Sequence, residues 1–584
     1  MKNPQQQTNG ADSTLLVAAI DFGTTYSGFA YGFKDGTTTV KSWHGEGSGL
    51  DQLASYKAPT SLLLTPEGSF DSFGYKAEKR YSDLADNDDH EGWKFFKHFK
   101  MLLHNRKNLS HDTTLTDDQG EEMPAKTVFA HCIRYMKEDL TKMLSEKKTS
   151  VREDEIRWVI TVPAIWEEAS KQFMREAAKE AGIPSNQLRL ALEPEAASVH
   201  VKDIPVERSE NQRGDTSIQP LQPGSRYMVL DLGGGTVDVT VHEILADRSL
   251  RELTKASGGA WGGAKVNTEF LNYIEEIVGK EVMDQMRLES HCGTLDLNSE
   301  IEQKKRSLTV DNQNRVVIKL PAVILEMFEN RNGVTLAEYI KNSNWGNIVD
   351  MHKEKLRIDY GTIAKLFAPS VKSIVSHTED TLRDPLCENV HDIVLVGGFA
   401  DSKVIRTTMK AHFSNYRVII PQEAGLAVLR GAVQFGLQPS LVAERISRFT
   451  YGTSLYRYFM EGDPEERKRK IEGQFYCKGV FNKLAGRGDT FSVGQRVETA
   501  VNPLTADMTQ MPLSFYKTVE NPQYTDNSCE LIGNMLVDMP NTEGGLDRIV
   551  MVYLNFGDTE LQAEGVDTTS GKQVSVTLDL LSVK

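Results

Sequence analysis

The sequence has few cysteines, no excess of basic residues and no long apolar run. Its five cysteines are scattered over 584 residues and form no C-x-x-C pair, which argues against a disulfide framework or a zinc site. Lys and Arg total 67 against 82 Asp and Glu, a formal net charge of -15, which disfavours nucleic acid as a partner. The apolar stretch 15–20 is too short for a signal or membrane-spanning segment. We therefore expect no membrane insertion and a reducing compartment, the cytoplasm first and the nucleus as the alternative.

The length and the pattern of apolar residues predict several domains. A polar N-terminus, residues 1–13, is expected to be disordered. Residues 14–440 alternate predicted strands and helices, including strands at 15–20 and 226–230 and an amphipathic helix at 362–378. A polar segment with several prolines, residues 204–224, is predicted to be a flexible insertion between two lobes, 14–203 and 225–440. Residues 448–584 change to period-two alternation with glycine turns, which predicts an antiparallel β-sandwich.

Two glycine-rich turns each follow a predicted buried strand that ends in an aspartate. The first contains Asp21, Gly23, Thr24, Thr25 and Tyr26, and the second contains Asp231, Gly233, Gly234, Gly235, Thr236 and Asp238. Small residues let backbone N–H groups and hydroxyls approach phosphate oxygens without a steric clash. One such turn is equally consistent with an ordinary hairpin. Two of them, about 210 residues apart, favour an internal duplication whose turns clamp a polyphosphate.

Two further groups are candidates for contact with a nucleoside. Gly397 and Gly398 follow a predicted strand, where the backbone can pass close to a ligand. Glu302, Lys305 and Arg306 have i, i+3, i+4 spacing and therefore share one helix face, which suits ribose hydroxyls and an adenine plane. Without that context, a solvated charged face is the favoured explanation of the same three residues.

The motifs resemble those of the 70-kDa heat-shock protein family. They are IDFGTTYS at 20–27, VITVPA at 159–164, EPEAA at 193–197, LDLGGGTVDV at 230–239 and IVLVGG at 393–398. They stand in the order of that family across some 400 residues, and the insertion, the Gly-Gly-Phe sequence and residues 96–103 are most similar to its divergent subfamily 12. The resemblance implies a two-lobed actin-like ATPase fold, made of duplicated ribonuclease-H-like domains. A C-terminal β-sandwich of the substrate-binding kind, without a helical lid, would follow.

The resemblance also implies roles for individual residues. Asp21 and Asp231 would organise Mg²⁺ through water, Glu193 and Asp238 would orient the attacking water, and Lys100 would neutralise charge on the γ-phosphate. Lys97 is a weaker candidate for that last role. Contacts with ATP or ADP are implied for Gly23, Thr24, Thr25, Tyr26, Gly233, Gly234, Gly235, Thr236, Gly262, Gly263, Glu302, Lys305, Arg306, Gly397, Gly398 and Phe399.

The sequence departs from the family at several of these positions. Phe399 and Asp401 stand where the family has a small polar residue and a basic residue that touches adenine. Glu195 replaces the threonine after Glu-Pro, and LVAERIS at 441–447 replaces the acidic-leucine linker that couples nucleotide state to substrate binding.

Three functions are compatible with these motifs. The first is an ATP-binding, stress-response chaperone with slow ATPase activity, extended or unfolded polypeptide clients and co-chaperones. The second is a nucleotide-binding scaffold or regulator with little or no ATPase cycling. The third, a sugar or acetate kinase on the same fold, is least favoured because nothing in the C-terminal β-region suggests an acceptor pocket. No G-x-x-x-x-G-K-[ST] sequence is present, so a P-loop enzyme is excluded.

Overall fold

The computed structural model describes residues 14–44, 54–104, 109–209, 216–309, 315–556, 561–577 and 581. The predicted disordered N-terminus, residues 1–13, lies outside these ranges, as does the centre of the predicted insertion, residues 210–215. In the part of the chain that the structure describes, no helix is both long and apolar enough to cross a membrane. The domain boundaries given above remain predictions from the sequence.

The first lobe is built around a buried hairpin extended by parallel strands. Its strands are β1 (Leu16–Phe22), β2 (Tyr26–Phe33), β3 (Thr38–Val40), β4 (Trp43–His44), β5 (Ala54–Ser55), β6 (Ala58–Pro59), β7 (Ser61–Leu64), β8 (Phe70–Phe73), β9 (Lys94–Lys97), β10 (Thr114–Thr116), β11 (Glu122–Pro124), β12 (Ile156–Val162) and β13 (Leu188–Leu192). Its helices are α1 (Tyr75–Asp86), α2 (Ala125–Glu146), α3 (Glu168–Glu180) and α4 (Glu193–Val201). The main sheet has the order β13-β12-β1-β2-β3, with β6 also paired to β2. β12 runs parallel to β1, and β2 runs antiparallel to it, so the predicted strand at 15–20 is confirmed as β1.

The second lobe repeats this opening and adds more helices. Its strands are β14 (Val206–Ser209), β15 (Thr216–Gln219), β16 (Arg226–Leu232), β17 (Val237–Ile244), β18 (Leu250–Gly259), β19 (Val316–Lys319), β20 (Val349–His352), β21 (Lys355–Ile358), β22 (Val390–Val396), β23 (Arg417–Ile419) and β24 (Val442–Ile446). Its helices are α5 (Gly263–Val278), α6 (Lys280–Glu289), α7 (His291–Ser307), α8 (Ala322–Asn332), α9 (Leu336–Asn342), α10 (Tyr360–Lys365), α11 (Ala368–Leu382), α12 (Lys403–His412) and α13 (Ala427–Leu437). The antiparallel pair β16–β17 corresponds to β1–β2, and β22 runs parallel to β16. Within the predicted insertion, residues 206–209 and 216–219 form the antiparallel pair β14–β15.

The two lobes share one hydrophobic cluster around α4 and α13. Alternate residues of β1 face different clusters: Val17 and Ala19 join this shared cluster, whereas Leu16, Ala18 and Ile20 pack in the core of the first lobe. Tyr227 and Val229 of β16 join the shared cluster from the other side. A Cβ on Gly431 of α13 would lie 1.6 Å from the Ala196 carbonyl oxygen of α4, so the close approach of these helices requires glycine there. Helices therefore cover both faces of the strands that lead into the two glycine-rich turns.

The amphipathic helix predicted over 362–378 is two helices, α10 and α11, and the single-helix prediction is wrong. Pro369 is the second residue of α11. Proline has no N–H for a hydrogen bond to the preceding turn, so it is tolerated in the first turn of a helix but interrupts a continuous one. The buried residues Ile363 and Ile374 nevertheless pack in the same apolar cluster, which is why the apolar periodicity continues across the break.

The C-terminal residues form antiparallel sheets. The strands are β25 (Thr450–Tyr458), β26 (Lys468–Ile471), β27 (Gln474–Ala485), β28 (Thr490–Ser492), β29 (Arg496–Val501), β30 (Gln510–Thr518), β31 (Glu530–Asp538), β32 (Val550–Asn555), β33 (Gln562–Asp567) and β34 (Gln573–Thr577). One sheet has the order β26-β27-β25-β30-β31 and the other β29-β32-β33-β34, and one apolar cluster is common to both. β28 instead pairs with β24 and so extends the main sheet of the second lobe. Val550, Val552 and Leu554 alternate into the apolar cluster, as their period-two pattern predicts.

Candidate active site

The two glycine-rich turns meet at the carboxyl ends of β1 and β16. A Cβ on Gly234 would lie 2.0 Å from Thr25 Oγ1, and a Cβ on Gly235 would lie 2.7 Å from Thr24 Oγ1. Any side chain at these two glycines would therefore push the turns apart. The structure thus brings together the two turns that the sequence predicts to clamp a polyphosphate.

Protein hydrogen bonds engage the carbonyl oxygens of these turns and leave several amides unused. Residues 262–264, at the start of α5, donate N–H bonds of 2.7 to 3.2 Å to the carbonyl oxygens of residues 233–235. The predicted residues Gly262 and Gly263 lie here. Across the site, Thr60 donates to the carbonyl oxygens of Gly23 and Thr25. Within the described ranges, no acceptor takes the backbone N–H groups of residues 24, 25, 234 and 235. Such a pair of amide-lined turns suits the oxygens of a polyphosphate.

Four buried carboxylates lie next to the turns. They are Asp21, Glu193, Asp231 and Asp238, each at most 9% exposed. Lys100 Nζ lies 2.8 Å from Glu193 Oε1 and 5.1 Å from the centre of the Trp166 ring. The sequence-predicted catalytic residues therefore converge.

Backbone and hydroxyl donors hold two of these carboxylates in place. The Ile165 N–H donates to Asp238 Oδ1 at 3.0 Å, and Thr161 Oγ1 donates to Asp21 Oδ1 at 2.8 Å. Both donors come from β12 or the turn after it, so the first lobe positions a carboxylate that belongs to β17 of the second lobe.

Burial dominates the electrostatics of the carboxylates. It raises the pKa of Glu193 to about 7, even though Lys100 opposes the change. Burial likewise raises the pKa of Asp238 to about 6 and that of Asp231 well above its usual value, with Glu193 adding to the effect at Asp231. Several acidic side chains are thus concentrated at a site from which water is excluded, and this disfavours their ionised forms. Among the described residues, no three acidic, histidine or cysteine side chains lie together in a way that could hold a metal ion directly, so the role of Asp21 and Asp231 toward hydrated Mg²⁺ stays a prediction.

Asp21 differs because it has a counterion that sequence reasoning missed. Lys57 Nζ lies 2.5 Å from Asp21 Oδ2. Although burial acts to raise the pKa of Asp21, Lys57 holds it below the usual value. Nothing around Lys57 in the sequence marks it, because a β-pairing between distant segments brings it to the site. Lys97, the weaker candidate for the lysine role, is bound to Glu78 at 2.7 Å instead.

The predicted nucleoside residues on α7 form a connected charged group. Glu302 accepts from Lys305 at 2.6 Å and from Arg306 at 2.8 Å. Against the effect of burial, these two cations lower the pKa of Glu302 to about 2. Lys305 also donates to the Gly263 carbonyl oxygen at 3.2 Å, and the Arg306 guanidinium lies 4.3 Å from the centre of the Tyr26 ring. These contacts connect α7 to the first phosphate turn and to the start of α5, which is hydrogen-bonded to the second.

The glycines after β22 border the same region. A Cβ on Gly397 would lie 2.4 Å from Asp231 Oδ1, whereas a Cβ on Gly398 would meet no atom within 4 Å. Space for a ligand is therefore available beside Gly398. Phe399 is 5% exposed, and its ring packs on Phe367 with centroids 6.5 Å apart. The structure places Phe399 in the core cluster of the second lobe, and its predicted contact with the nucleoside stays a prediction.

The segment in the linker position is bound to both lobes. Arg445 of β24 makes a two-pronged ion pair with Glu195, at 2.8 and 2.7 Å. Glu252 of β18 accepts the Ile446 N–H at 2.8 Å. Two departures from the family pattern, Glu195 and the LVAERIS segment, are therefore partners of each other.

The residues after this segment contact the turn that follows β12. Arg448 donates to the carbonyl oxygens of Ala164, Ile165 and Trp166 at 2.9 to 3.3 Å. Lys517 of β30 lies 2.8 Å from Glu167. The same turn holds Asp238 through Ile165 and contacts Lys100 through Trp166, so it connects the C-terminal sheets to the buried carboxylates.

Two lobes with opposed phosphate turns and buried carboxylates between them define a nucleotide-binding protein of the two-lobed, actin-like class. Residues 86–424 match the family described as Hsp70 protein. The chain is 32% identical to "Heat shock 70 kDa protein 12A" of Homo sapiens, covering 99% of this chain and 94% of that protein. For the Mus musculus protein of the same name the identity is 33%, with the same coverage. For "Heat shock 70 kDa protein 12B" of Homo sapiens it is 32%, covering 100% of this chain and 93% of that protein. The chain belongs to the Hsp70 family, and the predicted resemblance to subfamily 12 is confirmed.

Proposed function

We propose that this Hsp70-family nucleotide-binding protein hydrolyses ATP slowly with Mg²⁺ and binds extended polypeptide on its C-terminal sheets. The observation that carries the proposal is the convergence of Lys100, Glu193 and Asp238 beside two amide-lined turns. Bound ATP would supply the phosphoryl group to be transferred, and Mg²⁺ that enters with the ATP, beside Asp231, would supply positive charge for the transfer.

The side chains of the chain have suitable chemistry for such a reaction. Glu193, with its pKa near 7, is suited to accept a proton from water at neutral pH. Asp238 is fixed by the Ile165 N–H and can orient that water. Lys100 carries a positive charge that can stabilise negative charge as it develops. Because the site is buried, these interactions are stronger than they would be in bulk water.

Peptide binding is proposed for the sheet that contains β26 and β27, taken as one half of a β-sandwich. Tyr458, Met460 and Phe475 are 62, 57 and 49% exposed. The backbone brings them to the same end of the sheet, because the Phe459 N–H donates to the Phe475 carbonyl oxygen at 2.9 Å and Tyr458 stacks on Tyr476, with ring centroids 5.1 Å apart. An exposed apolar group beside the edge strand β26 suits an extended polypeptide that adds to the sheet. Unfolded polypeptides and co-chaperones are the proposed partners, and the cytoplasm is the proposed compartment.

A second candidate function is a nucleotide-binding scaffold that does not cycle. The buried pair between Arg445 and Glu195 favours it, because such a pair holds the linker segment firmly against both lobes. A linker that never leaves this position would keep the C-terminal sheets in one arrangement whatever nucleotide is bound.

One experiment distinguishes the ATPase from the scaffold. It measures single-turnover ATP hydrolysis by the wild type and by Lys100→Ala, with and without an unfolded peptide. We expect Lys100→Ala to lower the rate by about 10² or more, as for other residues that stabilise transition-state charge, while ATP still binds. Lys97→Ala is the matched control, because that lysine ends β9 three residues before Lys100 and pairs with Glu78, outside the carboxylate group. Tight ATP binding by the wild type without turnover would refute the ATPase and favour the scaffold. Stimulation of turnover by the peptide would favour the chaperone.

A further inference from the structure

Lys57 brings a positive charge to the buried carboxylates from a segment outside both phosphate turns. Its Nζ lies 2.5 Å from Asp21 Oδ2, and its side chain is 19% exposed. The other oxygen of Asp21 accepts from Thr161. Both oxygens of a carboxylate predicted to organise a metal are therefore occupied by groups of the protein itself.

The backbone around Lys57 is fixed to the first phosphate turn. Ser55 Oγ donates to the Lys57 carbonyl oxygen at 2.8 Å, and the next residues form β6, which pairs with the start of β2. Thr60 then donates to the Gly23 carbonyl oxygen. A Cβ on Gly28 would lie 3.1 Å from Lys57 Cγ, so glycine at that position leaves room for the lysine side chain. This is the geometry of a positioned group rather than of a surface lysine.

Acidic side chains surround this ammonium. It forms an ion pair with Asp21, and Asp231 and Glu193 also attract its charge. The positive charge of Lys57 is therefore attracted by three of the four buried carboxylates, including Asp231, to which no residue of the described chain donates a hydrogen bond.

We propose that Lys57 is a tethered cation of the nucleotide site, which neutralises Asp21 in place of a divalent ion and lets a nucleoside diphosphate or triphosphate bind without one. The inference rests on the proposed nucleotide-binding function and deepens it. A tethered ammonium needs no binding from solution, whereas a divalent ion that approaches Asp21 must first displace it and then meet its repulsion. Nucleotide affinity should then depend little on Mg²⁺, and the protein without nucleotide should bind Mg²⁺ or Mn²⁺ weakly.

The first experiment uses the metal alone, so its outcome is independent of nucleotide binding. Mn²⁺ binding is followed by electron paramagnetic resonance, and thermal unfolding is recorded with EDTA and with excess Mg²⁺. We expect Lys57→Met to bind Mn²⁺ between about tenfold and a hundredfold more tightly than the wild type, the range for one interaction with a charged group. Its unfolding temperature should rise by at least about 2 °C with Mg²⁺, while that of the wild type stays constant. Lys57→Arg should behave as the wild type does.

Lys97→Met is the control for a general loss of positive charge. In the wild type, Lys97 pairs with Glu78 and not with Asp21. Equal Mn²⁺ affinity in the wild type and Lys57→Met would overturn the proposal. If Lys57→Met does not fold, the wild type alone still decides, because tight Mn²⁺ binding without nucleotide contradicts a tethered cation at Asp21.

The second experiment measures the affinity for a fluorescent ADP with EDTA and with Mg²⁺. We expect the wild type to change less than about threefold between the two conditions, and Lys57→Met to lose about tenfold or more in EDTA and recover with Mg²⁺. An equal loss in EDTA for both proteins would overturn the tethered cation and leave nucleotide binding intact. Absence of binding by the wild type in either condition would instead refute the proposed function, and the metal experiment would then decide the role of Lys57.

Discussion

The ion pair between Glu195 and Arg445 is expected to hold the linker segment on the lobes, and Glu195→Gln tests this. The side chains of Arg445 and Glu195 are 10 and 3% exposed, so the substitution removes the negative charge that faces a buried guanidinium. Such a loss costs about 3–5 kcal/mol. Glu252 lies nearby, and the charge of Glu195 contributes to its raised pKa. In Glu195→Gln, Glu252 would ionise more easily and compensate in part, so we expect the lower end of this range, about 3 kcal/mol.

Limited trypsin digestion provides the assay, because Arg445 and Arg448 are cleavage sites that the substitution leaves in place. About 3 kcal/mol corresponds to roughly a hundredfold increase in the population in which the segment is released. Cleavage that follows this population should become faster by the same factor. Glu195→Gln combined with Glu252→Gln removes the compensating carboxylate and should accelerate cleavage further.

Glu498→Gln on the exposed face of β29 is the matched control. It removes one carboxylate from the C-terminal sheets and should leave the cleavage rate unchanged. If Glu195→Gln is cleaved between residues 441 and 449 no faster than this control, then the pair does not hold the linker segment on the lobes. Retained binding of fluorescent ADP would show that both variants are folded.

Two further outcomes are expected. Burial, with Glu195 adding to it, raises the pKa of Glu252 from about 4.5 to about 8. The folded protein therefore keeps a proton that the unfolded chain loses, and the free energy of unfolding should fall as pH rises between these values. Urea unfolding at several pH values should show a smaller fall in Glu252→Gln, and parallel curves would contradict this. Gly234→Ala should weaken nucleotide binding at least about tenfold, because the new Cβ collides with Thr25. Titration with fluorescent ADP measures it, and unchanged affinity would refute the assigned contact between the turns.

Local sequence signals predicted the scaffold of the site well. β1 and β16 are apolar runs that end in aspartate and a glycine-rich turn, and they are buried strands in the structure. The reason is physical: an apolar run covered on both faces needs no information from distant residues to be recognised. The break between α10 and α11 was missed because the apolar period continues across Pro369.

Long-range partnerships were not predictable in this way. Lys57 reaches Asp21 only because β6 pairs with β2, and no local motif surrounds it. Glu195 and Arg445, 250 residues apart, each depart from the family pattern, and only the tertiary structure makes them complementary. The Phe399 ring lies among apolar side chains of the core, a placement that its local sequence does not reveal, and its implied contact with ATP or ADP stays a prediction.

The pairing of β28 with β24 has a consequence for how the chain can be divided. β24 lies between β18 and β28 in the main sheet of the second lobe, so residues 490–492 protect an edge that the nucleotide-binding lobes do not cover themselves. A fragment that stops after residue 447 would carry β24 as an open edge, with unpaired backbone groups that attract other strands. The two halves of the protein are therefore better regarded as one cooperative unit, in which the last strand of the second lobe's sheet is supplied from beyond the linker.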